Sequence, residues 1–152
     1  MKTKIVMVCL GNICRSPLAE GILKSKLKTE NVVVDSAGTG DWHAGETPDP
    51  RSIETAKKNG IDITGQRARQ FKVSDFDAFD IIYVMDASNE ENVKKLARNE
   101  TDKKKVKRIL SELPNVKYTD VPDPYFGGIT GFDDVYEMLD QACEVIAKRF
   151  IK

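Results

Sequence analysis

The sequence predicts an α/β fold, a small doubly wound sheet flanked by helices. Three observations carry that prediction. Short apolar runs alternate with segments of helical periodicity, which implies right-handed βαβ crossovers. The first run, residues 4–10 (KIVMVCL), is almost continuously apolar and β-branched, as a strand covered on both faces must be. With 152 residues and 40% hydrophobic content, the chain has the size of one domain that buries its core without disulfides or metals.

Taken in order, residues 4–10 form the first strand. Ser16 reads as an N-cap and Pro17 as the first helical residue, where proline wastes no amide hydrogen. Ala19, Ile22, Leu23 and Leu27 give the helix that follows its apolar stripe. Residues 32–34 make a second short strand that leads into DSAGTG, a loop by its glycines. Asp49 and Pro50 repeat the cap-then-proline start, and Asn59-Gly60 supplies the matching stop. Residues 81–85 (IIYVM) are a third buried strand, closed by Asp86. Ser88 with Glu91 forms a capping box for a polar helix reaching about Arg98. The lysine-rich ETDKKKVKR reads as a solvated surface turn, and residues 106–110 as a weaker fourth strand at an edge. From Phe132 onward, Val135, Met138, Leu139, Ala142, Ile146 and Phe150 recur at helical spacing, so a long amphipathic helix ends the chain.

Composition narrows the function classes. Basic and acidic residues balance at 24 each, so no global field draws nucleic acid or an anionic membrane, and any affinity for anions is local. The apolar run after MKTK is cut by Gly11 and Asn12 before it reaches the length of a signal h-region, which predicts a cytoplasmic protein without membrane insertion. Three cysteines cannot all pair with one another, so reduced thiols are the expectation. No metal-ligand spacing appears, and no cofactor is expected.

In a doubly wound sheet, ligands bind at the carboxyl ends of the strands. Three polar stretches should gather there: the one after Leu10, residues 35–43, and the one after Met85. The first carries the chemistry. In CLGNICRS, Cys9 sits at the strand end and Arg15 closes a Cys-x5-Arg loop that runs into a helix N-terminus. Successive amides from Leu10, Gly11, Asn12, Ile13, Cys14, Arg15 and Ser16 would converge on one point, aided by the helix dipole, and such a point binds a tetrahedral oxyanion. Arg15 can clamp two phosphate oxygens with its planar fork. The same groups would stabilise a thiolate at Cys9, making it a nucleophile, and Ser16 could donate to the sulfur. Gly11 and Asn12 tolerate the left-handed backbone such a nest requires. A cysteine at a strand end, taken alone, is ordinary core; the whole constellation is not. Cys14 is either packing or a partner thiol that caps oxidised Cys9 as a disulfide, whereas Cys143 lies near the apolar stripe of the last helix. A phosphate ester also needs its leaving group protonated. Asp123, in VPDPYFGG, is the best candidate, although Asp-Pro by itself is a common turn opener.

CLGNICRSP, DSAGTGDWH, the DPRS helix start, ARQ, VMD and the late DPY together resemble the low-molecular-weight protein tyrosine phosphatases over essentially the entire chain. The resemblance implies four parallel strands flanked by helices, with the phosphate-binding loop after strand 1. It implies that Cys9 is the nucleophile, Arg15 the phosphate clamp and Asp123 the general acid, acting on a phosphotyrosine-containing protein through a phosphocysteine. It also implies that Leu10, Trp42 and Tyr125 wall the pocket, with His43 near its rim; the less favoured reading of Trp42 is a loop anchor. Family members acting on phosphoarginine tend to have threonine where Ile13 stands, so Ile13 favours phosphotyrosine. Phe126 replaces the second tyrosine of the DPYY form, leaving Tyr125 as the residue of that segment open to a kinase. Gln66 stands where the family often has a histidine behind the phosphate loop, and glutamine cannot titrate. Ser36 and Asp86 are either supports of the loop or ordinary structural residues.

Two rival functions fit less well. An arsenate reductase passes oxidation along a cysteine relay, and YVMDASNEENV holds no cysteine pair. A cysteine phosphocarrier would need neither Arg15 nor Asp123.

Overall fold

The computed structural model describes residues 2–27, 30–114, 116–117, 119–125 and 129–150. Four parallel strands, β1 (Thr3–Cys9), β2 (Val32–Gly38), β3 (Ile81–Val84) and β4 (Val106–Arg108), form one sheet in the order β2-β1-β3-β4. Among the described residues, six α-helices accompany them: α1 (Arg15–Lys26), α2 (Pro50–Lys58), α3 (Asp75–Ala78), α4 (Ala87–Lys95), α5 (Glu100–Lys104) and α6 (Ile129–Lys148). Strand order reverses around β1, so the crevice at the carboxyl ends of β1 and β3 is the topological switch point where this architecture binds ligands.

Alternation along the central strands builds two cores. Ile5, Met7 and Cys9, with Tyr83 and Met85, face α1, α2 and α6. Val6, Val8, Ile82 and Val84 face the other way, onto Phe71, Phe76, Phe79 and Val93. Both faces of β1 are therefore buried, which is why its sequence is continuously apolar. The doubly wound sheet is as expected from the alternation of strands and helices.

Several boundaries differ from the sequence reading, each for a physical reason. Helix α1 begins at Arg15 with Cys14 as its uncapped boundary, so Ser16 is not an N-cap; its hydroxyl is engaged by Cys9 and Asn12 instead. Strand β2 runs on to Gly38, through part of the expected DSAGTG loop, because β1 offers it a partner at every position to Cys9. Helix α4 is capped by Asp86, which accepts from the Asn89 amide, rather than by Ser88. It ends at Lys95, short of Arg98, whose guanidinium is drawn to Asp77 and Asp102. The expected lysine-rich turn contains α5, held by an Asn99 cap on the Asp102 amide, and then β4. After β4, the chain turns into a 3-10 helix at Ile109–Glu112. The Asp49 cap with Pro50 at the start of α2, and the stop at Asn59 with Gly60 at φ +78, match the sequence reading.

Candidate active site

The turn from β1 into α1 is built around one residue in the left-handed region, Asn12, at φ 58. Gly11 stays outside that region, so asparagine alone bends the loop. Asn12 is 2% exposed, and every polar group of its side chain is engaged. Its Nδ2 donates to Ser16 Oγ at 2.8 Å and to Ser36 Oγ at 3.0 Å, while Oδ1 accepts from the Arg69 amide at 3.0 Å. Ser36 in turn donates to Glu20 Oε1 at 2.7 Å, a buried carboxylate carried by α1 itself. The loop is thereby tied to β2 and to the segment that follows α2. A Cβ at Gly38 would lie 2.9 Å from the Leu10 carbonyl and 3.0 Å from the Asn12 nitrogen, so only glycine lets the loop pack on β2.

Cys9 Sγ lies inside this turn. The Asn12 amide donates to it at 3.3 Å, and Ser16 Oγ sits 3.0 Å away. Ser16 Oγ accepts from Asn12, and its own hydrogen is shared between the sulfur and the Ala37 carbonyl, 3.4 Å away. Arg15 is 2% exposed. From Nη1 it donates to Asp86 Oδ2 at 2.6 Å and to the Val121 carbonyl at 2.9 Å, and Nη2 lies 3.7 Å from Asp123 Oδ2. Burial works against its charge, but Cys9, Asp86 and Asp123 outweigh burial and hold the guanidinium firmly protonated. Among the described residues, Nε and Nη2 make no hydrogen bond, which leaves them for an oxyanion.

The segment carrying Asp123 crosses the mouth of the loop. The Val121 amide donates to the Met85 carbonyl at 2.7 Å, and Asp120 accepts from the Ala87 amide. Asp123 Oδ1 accepts from the Tyr125 amide at 3.0 Å. Arg51 steadies the same segment: it donates to the Tyr125 carbonyl, stacks 5.5 Å from the Tyr125 ring and 4.7 Å from that of Phe132, and is itself held by Asp49.

Cys9, Arg15, Asp123, Leu10, Trp42, His43 and Tyr125 line one cavity of about 150 Å³, together with Gly11, Ile13 and Cys14. Trp42 is 69% exposed and forms an outer flank rather than a closed wall. The half-buried His43 lies beside Tyr125, with ring centroids 6.4 Å apart, and bonds Glu46 through Nδ1. Ile13 and Cys14 pack with Ala68 and Phe132, and burial pushes the Cys14 thiol far up. All three cysteines are free. Gln66 does not reach the loop: its Nε2 donates to the Pro17 carbonyl at 3.0 Å, and loop support passes instead through Ser36 and the Arg69 amide. Phe126 lies outside the described residues.

Five contributors escaped the sequence reading, Glu20 among them. Arg69 acts through its backbone, Val121 through its carbonyl, Gly38 through its missing side chain, and Ser52 by donating to the Cys14 carbonyl. Backbone groups leave no residue-type signal. Glu20 had one, an acid on an otherwise buried helix face.

A family model described as low molecular weight phosphotyrosine protein phosphatase matches residues 4–152. The chain belongs to that family. A Schizosaccharomyces pombe low molecular weight phosphotyrosine protein phosphatase is 41% identical over 141 residues, covering 90% of this chain and 89% of the relative. The crystal structure of a protein tyrosine phosphatase from Entamoeba histolytica with Hepes in its active site superposes with a TM-score of 0.92 at 37% identity, covering 98% of this chain and 97% of that one. The structure of a Drosophila arginine phosphatase superposes at 0.90 with 31% identity, covering 100% of this chain and 99% of that one.

Proposed function

We propose that the protein is a cytoplasmic, metal-independent tyrosine phosphatase that hydrolyses phosphotyrosine in protein substrates. The observation that carries this reading is the common cavity: the Cys9 sulfur at its base, the buried Arg15 fork beside it, and the Asp123 carboxyl across its mouth.

In the first step, the Cys9 thiolate attacks phosphorus and the bond to the tyrosyl oxygen breaks, while Asp123 gives its proton to that oxygen. The equatorial oxygens remain on the loop amides and on Arg15 Nε and Nη2 as charge redistributes, so stabilising donors are in place before reaction. In the second step, Asp123, now a carboxylate, takes a proton from water as the water oxygen attacks phosphorus. The sulfur–phosphorus bond breaks and inorganic phosphate leaves. Ser16 and the Asn12 amide hold the sulfur as a leaving thiolate. The aromatic flanks Trp42 and Tyr125 suit a flat phenol over the side chain of phosphoserine. The half-exposed Tyr125 is also the residue of this segment that a partner kinase would reach.

A second reading has one specific support, the likeness to an arginine phosphatase. Ile13 lines the cavity with an aliphatic side chain, which favours the aryl ester. The test is phosphate release without added metal from phosphotyrosine and phosphoarginine substrates, beside Cys9→Ser and Asp123→Ala. Turnover of phosphotyrosine, lost in both variants, is expected. Preference for phosphoarginine would move the reading to that substrate, and turnover of neither would overturn it.

A further inference from the structure

We infer that a groove beside the catalytic pocket docks the part of the substrate protein that flanks its phosphorylated residue, and that it selects a large apolar side chain accompanied by an acidic one. The inference rests on the phosphatase reading above and assigns it a sequence preference.

The groove is a cavity of about 560 Å³ that shares Leu10 and Trp42 with the Cys9 pocket. A polypeptide inserting one side chain against Cys9 must pass its neighbouring residues over that shared wall. Phe71, 3% exposed, lies beneath; Val73 and Leu96, at 39% and 41%, stand open. Of the seven exposed large apolar residues among the described ones, Leu10, Trp42, Val73 and Leu96 line this groove. On a protein whose other apolar residues are mostly covered, such clustering marks a contact surface.

Charge points to the chemistry of the occupant. Lys72 and Lys95 stand at the groove, and the Lys72 ammonium makes no ion pair among the described residues. Lys95 meets only Glu91, at 3.5 Å with both side chains exposed, a pairing that competes weakly with an incoming carboxylate. The chain as a whole is neutral, so this basic edge is local. Asn92, which also lines the groove, suits the backbone of an extended peptide. Extended chain advances about 3.3 Å per residue, so the positions read are those within two or three residues of the phosphorylated one.

The experiment compares kcat/KM for free phosphotyrosine with that for phosphotyrosine peptides flanked by leucine and glutamate, by alanine, or by leucine and lysine. The wild type should prefer the leucine–glutamate peptide. Lys72→Glu combined with Lys95→Glu should lower that peptide's kcat/KM about three- to tenfold, mainly through KM, and raise that of the lysine peptide, leaving free phosphotyrosine unchanged. Val73→Ser should weaken both leucine peptides alike. Turnover of phosphotyrosine with no discrimination among flanks, or variants that alter free phosphotyrosine and peptides equally, would overturn the groove alone. Failure to hydrolyse any phosphotyrosine compound would overturn the groove together with the activity it rests on.

Discussion

Arg15 and Asp86 are joined at 2.6 Å, with Arg15 2% exposed and the aspartate at the start of α4. Asp86 therefore has two tasks: it aims the guanidinium, and it caps a helix through the Asn89 amide. The two separate by substitution. Asp86→Asn keeps a good capping side chain but removes the charge that orients Arg15. It should lower kcat/KM on the order of tenfold to hundredfold while shifting the melting temperature little. Asp86→Ala should lose both, adding about 1 kcal/mol of destabilisation. Equal activity in Asp86→Asn and wild type, measured with phosphotyrosine alongside a melting curve, would show that Arg15 needs no such partner.

Asn12 combines a left-handed backbone with a fully bonded, buried side chain. Asn12→Ala should cost about 1–2 kcal/mol for the backbone alone, and more for the Ser16 and Ser36 hydroxyls left without it. Asn12→Gly restores the backbone but not the bonds. Denaturant midpoints should therefore rank wild type above Gly above Ala, with both variants slow in catalysis. Identical midpoints for the two variants would remove the backbone from the account.

The contrast between Asp86 and Asn12 marks what was legible in the sequence. The strand–helix alternation and the continuous apolar run of β1 reveal the sheet because burial on both faces leaves a compositional trace. The Cys9-to-Arg15 spacing reveals the loop because backbone amides need a fixed number of residues to encircle an anion. Asp86 was legible as the end of a strand and as either a loop support or an ordinary structural residue, but its bond to Arg15, a residue 71 positions away, and its capping of α4 were not. Ser16 was misread for the same reason: capping propensity is local, whereas a buried sulfur 3.0 Å distant is a tertiary partner. The continuation of β2 to Gly38 likewise depends on β1 alongside it, which no reading of DSAGTG alone contains.

Asp49 offers a test by pH. Burial raises its carboxyl, but three bonds from Arg51 overcome this and leave it below the ordinary value of 3.8. A depressed carboxyl stabilises the folded state above its unfolded value, and that contribution is lost as pH falls through the folded one. Asp49→Asn should thus be less stable than wild type at pH 7, by about 0.5–1 kcal/mol. The gap should close as the pH is lowered below about 4. A gap independent of pH, in urea titrations from pH 3 to 7, would sink the idea.

Asp123 gives the sharpest prediction, because its role depends on the leaving group. It is held at the mouth of the cavity by the Tyr125 amide and lies 3.7 Å from Arg15, close enough to feel the cation yet outside a direct hydrogen bond. A carboxyl so placed can shift its proton to a departing oxygen. An alkyl or unactivated phenyl phosphate expels a basic oxyanion and needs that proton; a nitrophenyl phosphate expels a stable anion and does not. Asp123→Asn preserves size and the bond from the Tyr125 amide, so its fold and pocket should survive. Its rate should fall on the order of 100- to 10,000-fold with the poor leaving group, and much less with the activated one, where hydrolysis of the phosphocysteine becomes the slow step. A burst of phenol in rapid-mixing experiments on the variant would then report the accumulated intermediate. Equal slowing across leaving groups, with no burst, would mean that Asp123 only holds Arg15 in place and that the proton comes from elsewhere.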